Sequence, residues 1–157
     1  MVLGREATNL DSGAPMRWPR VSLEEQLGKV PLFENLSDVD LAHVAHLAVR
    51  VREPKGAMLA KEGEPGHEFL IVLEGEVDIR HGDRVVTTLG PGAYLGEIAL
   101  LDDRSSRTAT VVATTPVAIA FFGRQEFDRL LSDLPELAQQ IRHTMAQRVK
   151  DDDHPDE

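Results

Sequence analysis

Gly96-Glu97-Ile98-Ala99-Leu100-Leu101-Asp102-Asp103-Arg104-Ser105-Ser106-Arg107-Thr108-Ala109-Thr110 is the stretch that decides how this chain is read. Its parts suit the capture of an anion. A glycine lets the backbone approach a ligand closely, and a carboxylate follows it at once. A short apolar run then fits one helical turn, and an arginine beside a threonine hydroxyl stands ten residues beyond the carboxylate. Together these groups match a small ligand that carries both a phosphate and a sugar.

The surroundings of this cassette have the texture of a β unit. Between about 50 and 122, short apolar runs alternate with turn formers: Glu62-Gly63-Glu64-Pro65-Gly66, His81-Gly82-Asp83 and Gly90-Pro91-Gly92. Phe69 to Leu73, Val77 with Ile79, Val85-Val86, Thr110 to Val112 and Val117 to Phe122 supply the strands. A small closed barrel or roll hides the edges of so many short strands.

Helical periods flank this unit. Ser37 can cap a helix over roughly 37 to 48, in which Leu41, Val44, Ala45 and Ala48 share a face and Asp38 and Asp40 favour the first turn. Before it, Leu23, Leu27, Val30, Leu32 and Phe33, broken by Gly28 and Pro31, suggest a short helix and a turn. After Gly123, one helix carries Phe127, Leu130 and Leu131. Past Ser132 and Pro135 a second carries Leu137, Ala138, Ile141, Met145 and Val149. That last stripe either packs on its own core or covers a ligand pocket. The fold class is mainly β with flanking helices: a double-stranded β-helix or jelly-roll-like β-roll with N-terminal helices and two C-terminal helices.

The whole chain sets bounds on what this module does. Its 157 residues, 41% of them apolar, suffice for one domain with an ordinary core. With 17 basic against 27 acidic residues, the net charge of −10 disfavours a nucleic-acid surface, because phosphate backbones demand clustered Lys and Arg. The absence of cysteine excludes a disulfide framework, thiolate metal sites and a cysteine nucleophile, and makes the cytoplasm the natural location. Residues 1–22 contain Arg5, Arg17 and Arg20 but no signal-peptide apolar core, and read as a disordered leader. Five acids crowd positions 151–157, which read as an acidic disordered tail. The domain proper is expected over 23–150, with no membrane segment, because the uncharged run from Thr108 to Gly123 is too short to span a bilayer.

A helix-capped roll interrupted by Gly-Glu-Ile-Ala-Leu and Arg-Thr-Ala-Thr resembles the cyclic-nucleotide-binding domain family over roughly 30 to 150. Further matches are Pro31-Leu32-Phe33 with Leu36-Ser37, the turn from Gly63 to Gly66, Leu73-Glu74-Gly75 and Leu89-Gly90-Pro91-Gly92. Two positions depart from the family's signature: Leu95 replaces its phenylalanine and Ser106 its proline. The proline's fixed φ is thereby lost just before the arginine, which bears on affinity.

The resemblance implies a cyclic nucleotide sensor that binds cyclic AMP, or cyclic GMP, as its ligand and needs no cofactor. Glu97 would accept a hydrogen bond from the ribose 2′-hydroxyl, and Arg107 would pair with the cyclic phosphate. Ile98 and Ala99 would turn their amides toward the anion, Gly96 would allow the approach, and Ala109 would close the signature. Thr108 would bear on the choice between cyclic AMP and cyclic GMP, while Ile79 and Val86 align with the apolar wall facing the base. Arg142 and Met145 are candidates to cap it. Leu100 or Leu101 would carry an inward shift of the cassette to the helix of Phe127 and Leu130. Signalling would then pass to a protein partner, and the C-terminal helix is a potential homodimer surface.

Two other readings stand beside this one. In the first, the roll is a protein-interaction or dimerisation module without ligand. In the second, Pro65-Gly66-His67-Glu68 followed by Val72 to Val77 is similar to the first motif of a cupin metal enzyme. The cupin reading lacks a histidine between 82 and 142, where a further ligand is needed. His43 and His46 stand three apart on a helix with no third ligand nearby and read as a surface face. The chain is thus expected to hold no catalytic residue and no metal ligand.

Overall fold

The computed structural model describes residues 21–64, 68–96 and 109–152. Helix α1 (Leu23–Gly28) is followed by a 3-10 turn (Pro31–Phe33) and by helix α2 (Asp38–Leu47). Eight strands come next: β1 (Val49–Glu53), β2 (Met58–Ala60), β3 (Glu68–Glu74), β4 (Val77–His81), β5 (Arg84–Leu89), β6 (Tyr94–Leu95), β7 (Thr110–Ala113) and β8 (Val117–Gly123). Helices α3 (Arg124–Asp133) and α4 (Pro135–Asp152) close the domain. The strands form two four-stranded antiparallel sheets, one ordered β1-β8-β3-β6 and the other β2-β7-β4-β5.

The helix ends follow local chemistry. Ser37 accepts a hydrogen bond from the Asp40 amide at 3.1 Å and starts α2 where the capping rule puts it. Ser22 and Glu25 form a reciprocal box on α1: the Ser22 hydroxyl accepts from the Glu25 amide at 3.1 Å, and the Glu25 carboxylate accepts from the Ser22 amide at 3.2 Å. Ser22, the last residue of the expected leader, is thus the N-cap of α1. At the other end α4 runs on to Asp152, two residues into the stretch expected to be a tail.

The continuous apolar runs in β3 and β8 have a simple cause: the first sheet is covered on both faces. Phe69 and Ile71 of β3, with Ala120 and Phe122 of β8, join Leu27, Val30, Phe33, Val44, Phe127, Leu130, Leu137 and Ile141 in a core between sheet and helices. The alternate residues Leu70, Val72, Ile119 and Phe121 face the other way. There they meet Val51, Val77, Ile79, Val111, Ala113 and Val117 inside the roll. The α4 stripe begins on the protein's own core, since Leu137, Ala138 and Ile141 are at most 3% exposed.

A polar tie fixes α1 to the strands. Gln26, itself buried, donates to Glu74 Oε2 at 2.8 Å and accepts from Arg50 Nη1 at 2.7 Å, while Arg50 also donates to the Val21 carbonyl at 3.1 Å. Burial lowers the Arg50 guanidinium below its ordinary pKa, Arg52 adds to the effect and Glu74 opposes it. An arginine remains charged at neutral pH in such a setting.

Gly75 joins β3 to β4 at φ +87°, in a backbone region open to glycine. A Cβ there would lie 2.3 Å from the Pro116 carbonyl oxygen and 2.8 Å from Thr115 Oγ1. The turn is held against the β7–β8 connection by Glu76 N–H to Thr115 Oγ1 at 3.0 Å and Thr114 N–H to the Glu76 carbonyl at 3.0 Å, so it has no room to withdraw. Gly75→Ala is expected to cost about 2–4 kcal/mol from the combined strain and overlap. The check is a urea titration, whose midpoint falls while its slope stays unchanged.

Candidate functional site

The expected cassette residues Glu97, Ile98, Ala99, Arg107 and Thr108 lie outside the described residues, whereas both ends of the cassette are defined. Strand β6 enters it from the first sheet, pairing Leu70 with Leu95 and Ile71 with Tyr94. Strand β7 leaves it in the second sheet, pairing Arg80 with Thr110 and Ile79 with Val111. The segment between them thus passes from one sheet to the other. Gly96, at its entrance, has φ +96°, a conformation that a side chain would strain.

At the exit, Ala109 packs against the interior cluster that contains Val111 and Ile79. Ile79 is 9% exposed. It lies in that interior cluster, opposite Val111 of β7. Val86, the second residue expected on the apolar wall, falls at an irregularity of the register. The β4–β5 pairing runs Val77 to Leu89, Asp78 to Thr88 and Ile79 to Thr87, then steps to Arg80 with Val85. Val86 is the extra residue of a bulge on an edge strand, and it is 48% exposed.

Three groups brace this end of the roll. The Glu62 amide donates to Thr110 Oγ1 at 3.0 Å, its carboxylate accepts from the Gly82 amide at 2.9 Å, and His81 Nδ1 stands 3.7 Å from the same carboxylate. One acid thereby ties the segment after β2 to the β4–β5 hairpin and to the first residue of β7. Sequence reading took Glu62 only as part of a turn, because its partners lie 20 and 48 positions away.

The strand entering the cassette is also joined to the helices. The Tyr94 and Thr144 hydroxyls are 2.6 Å apart, linking β6 to α4 across 50 residues. The Phe69 ring lies 5.5 Å from Tyr94, 4.8 Å from Phe127 on α3 and 5.7 Å from Phe122 on β8, centroid to centroid. Arg142, considered as a base cap, is exposed and lines a groove with Leu131, Pro135, Glu136, Ala138 and Gln139. His43 lies 2.7 Å from Asp133 Oδ2, bridging α2 and α3, while His46 is exposed. Among the described residues no three acids or histidines converge as a metal centre, and no helix is long and apolar enough to cross a membrane. His67, on which the cupin resemblance turned, lies outside the described residues.

Comparison with known proteins gives this geometry its context. The profile of the cyclic nucleotide-binding domain matches residues 50–133, a span that includes both the cassette and the cupin-like stretch. A cAMP-dependent protein kinase regulatory subunit from Colletotrichum orbiculare is 34% identical over 122 residues, covering 76% of this chain and 31% of that protein. A cyclic nucleotide-gated potassium channel from Mesorhizobium japonicum is 38% identical over 120 residues, covering 76% of this chain and 33% of the channel. The chain thus spans about a third of the length of these curated relatives. The solved structure of PKAR CBD2 bound to Sp-2Cl-cAMPS superposes with a TM-score of 0.70 at 25% identity, covering 82% of this chain and 88% of that one.

Proposed function

The chain belongs to the cyclic nucleotide-binding domain family, and on that footing we propose that it is a sensor of cyclic AMP, with cyclic GMP as the second candidate ligand. It binds the nucleotide without altering it chemically, and occupancy changes the position of its C-terminal helices. The observation that carries this reading is the order Gly96-Glu97-Ile98-Ala99-Leu100 followed by Arg107-Thr108-Ala109-Thr110, strung between β6 of one sheet and β7 of the other. The glycine backbone at the entrance and the apolar wall of Ile79, Val111 and Ala109 at the exit suit a ligand with one anionic end and one flat, apolar end.

In this mechanism Arg107 holds the phosphate with two parallel N–H bonds, the amides of residues 98 and 99 add dipolar attraction, and Glu97 accepts from the ribose hydroxyl. Thr108 adds a hydroxyl to the phosphate or to a purine substituent. The base rests on the wall of the roll. A ligand displaces the helices only as far as it prefers one arrangement, and a shift from 1% to 99% needs ~5.5 kcal/mol of differential binding. The link from cassette to helix that supports this coupling is the Tyr94–Thr144 pair beside the Phe69–Phe127 contact. Output passes to a protein partner, and the cytoplasm is where such a messenger is read.

The direct test is calorimetry of the whole chain with cyclic AMP and cyclic GMP, repeated on Arg107→Ala. For the helices, Tyr94→Phe keeps the ring and removes one hydroxyl pair, worth about 1 kcal/mol. Amide exchange along α4 is expected to quicken roughly fivefold in that variant. The protection that nucleotide adds to α4 is expected to shrink with it. An α4 whose exchange ignores nucleotide in both proteins refutes the coupling and leaves binding itself untouched.

A further inference from the structure

Strand β5 offers the roll interior a hydroxyl at Thr87. Along this strand Thr88 points outward, where its hydroxyl donates to Asp78 Oδ1 at 2.8 Å. Its neighbours Thr87 and Leu89 therefore turn inward. Leu89 packs on the interior cluster opposite Val77, and Thr87 stands opposite Ile79, which is in turn opposite Val111. Val111, Ile79 and Thr87 form one row across β7, β4 and β5, spanning about 10 Å at the usual strand spacing.

Chemistry sets the last member of this row apart. Val111 and Ile79 are 4% and 9% exposed, whereas Thr87 is open to solvent. An apolar wall that begins beside the arginine-bearing segment therefore ends, on its far side, in a hydroxyl that both donates and accepts. The bulge at Val86 is what moves the interior position to Thr87, because one extra residue on the edge strand reverses the face of everything beyond it.

We infer that Thr87 meets the exocyclic group of a bound purine and makes the site prefer cyclic nucleotides that carry one; this rests on the cyclic-nucleotide reading above. The hydroxyl accepts from the amino group of an adenine or donates to the oxo group of a guanine, so it serves both bases and ignores a purine bare of substituents. A site that hydrogen-bonds a ligand group discriminates against the analogue that lacks it.

The test is a set of dissociation constants for cyclic AMP, cyclic GMP and the cyclic monophosphate of unsubstituted purine riboside. The proteins are the intact chain, Thr87→Val, Thr87→Ser and, on the opposite face of the same strand, Thr88→Val. Thr87→Val is expected to weaken cyclic AMP and cyclic GMP roughly three- to tenfold and to leave the bare purine unchanged. Thr87→Ser and Thr88→Val are expected to retain the preference of the intact chain. An equal loss for all three ligands in Thr87→Val, no loss for any, or a preference lost in Thr87→Ser each overturns the assignment. Those results leave an Arg107-dependent affinity in place, whereas failure of the intact chain to bind any of the three ligands removes the broader reading together with this one.

Discussion

Arg107→Ala is expected to weaken cyclic nucleotide binding by about 10²–10⁴-fold, with the fold intact. The loss comprises two charge-assisted hydrogen bonds, each worth about 1.5–3 kcal/mol, and every 1.4 kcal/mol is tenfold in affinity. Arg107→Lys keeps the charge and gives up the fork, so it is expected to fall between the two proteins and nearer to alanine. Titration calorimetry measures the affinities, and far-ultraviolet dichroism reports the fold. An unchanged dichroism spectrum together with the weakened binding assigns the loss to the ligand contact and not to unfolding. Equal affinities in the intact chain and Arg107→Ala would remove the phosphate contact from the mechanism.

Phe69→Ala is expected to destabilise the domain by about 3–5 kcal/mol, the range for deleting a buried aromatic side chain. Phe69 is 0% exposed and its ring is shared by Tyr94, Phe122 and Phe127, so truncation empties the joint between β6, β8 and α3 at once. Aromatic pairing adds to the area that is lost. Urea denaturation without nucleotide measures the cost. Repeating it with cyclic AMP at a hundred times the dissociation constant is expected to return about 2.7 kcal/mol, because a ligand that binds only the native state stabilises it by mass action. A variant that stays stable without nucleotide would place the centre of this core elsewhere. One that nucleotide fails to rescue would point to damage that reaches the cassette through Tyr94.

Much of the fold was legible in the chain because its signals are local. The Ser37 cap, the Gly90-Pro91-Gly92 turn and the break at Ser132 and Pro135 each act within a few residues, and the elements begin and end beside them. The Ser22-x-x-Glu25 box carries the same kind of signal, set at the edge of a stretch of loose composition. The register of β5 was less legible: Ile79 falls on its strand by alternation, but the irregularity that sets Thr87 opposite Ile79 and leaves Val86 without a partner in the pairing has no mark in composition or periodicity.

By itself, then, the sequence determined the kinds of element, their order and the chemistry of the 96–110 cassette, since capping, turn formation and hydrophobic period are properties of neighbouring residues. Tertiary structure alone decided which face of β3 and β8 meets the helices, which residue of β5 turns inward, and that Tyr94 reaches Thr144 and Glu62 reaches Thr110. Those pairings join positions about fifty residues apart, and no local preference selects them. They form because two sheets and four helices have to bury both faces of one sheet at once, and the gain from that burial outweighs the entropy of closing such long loops.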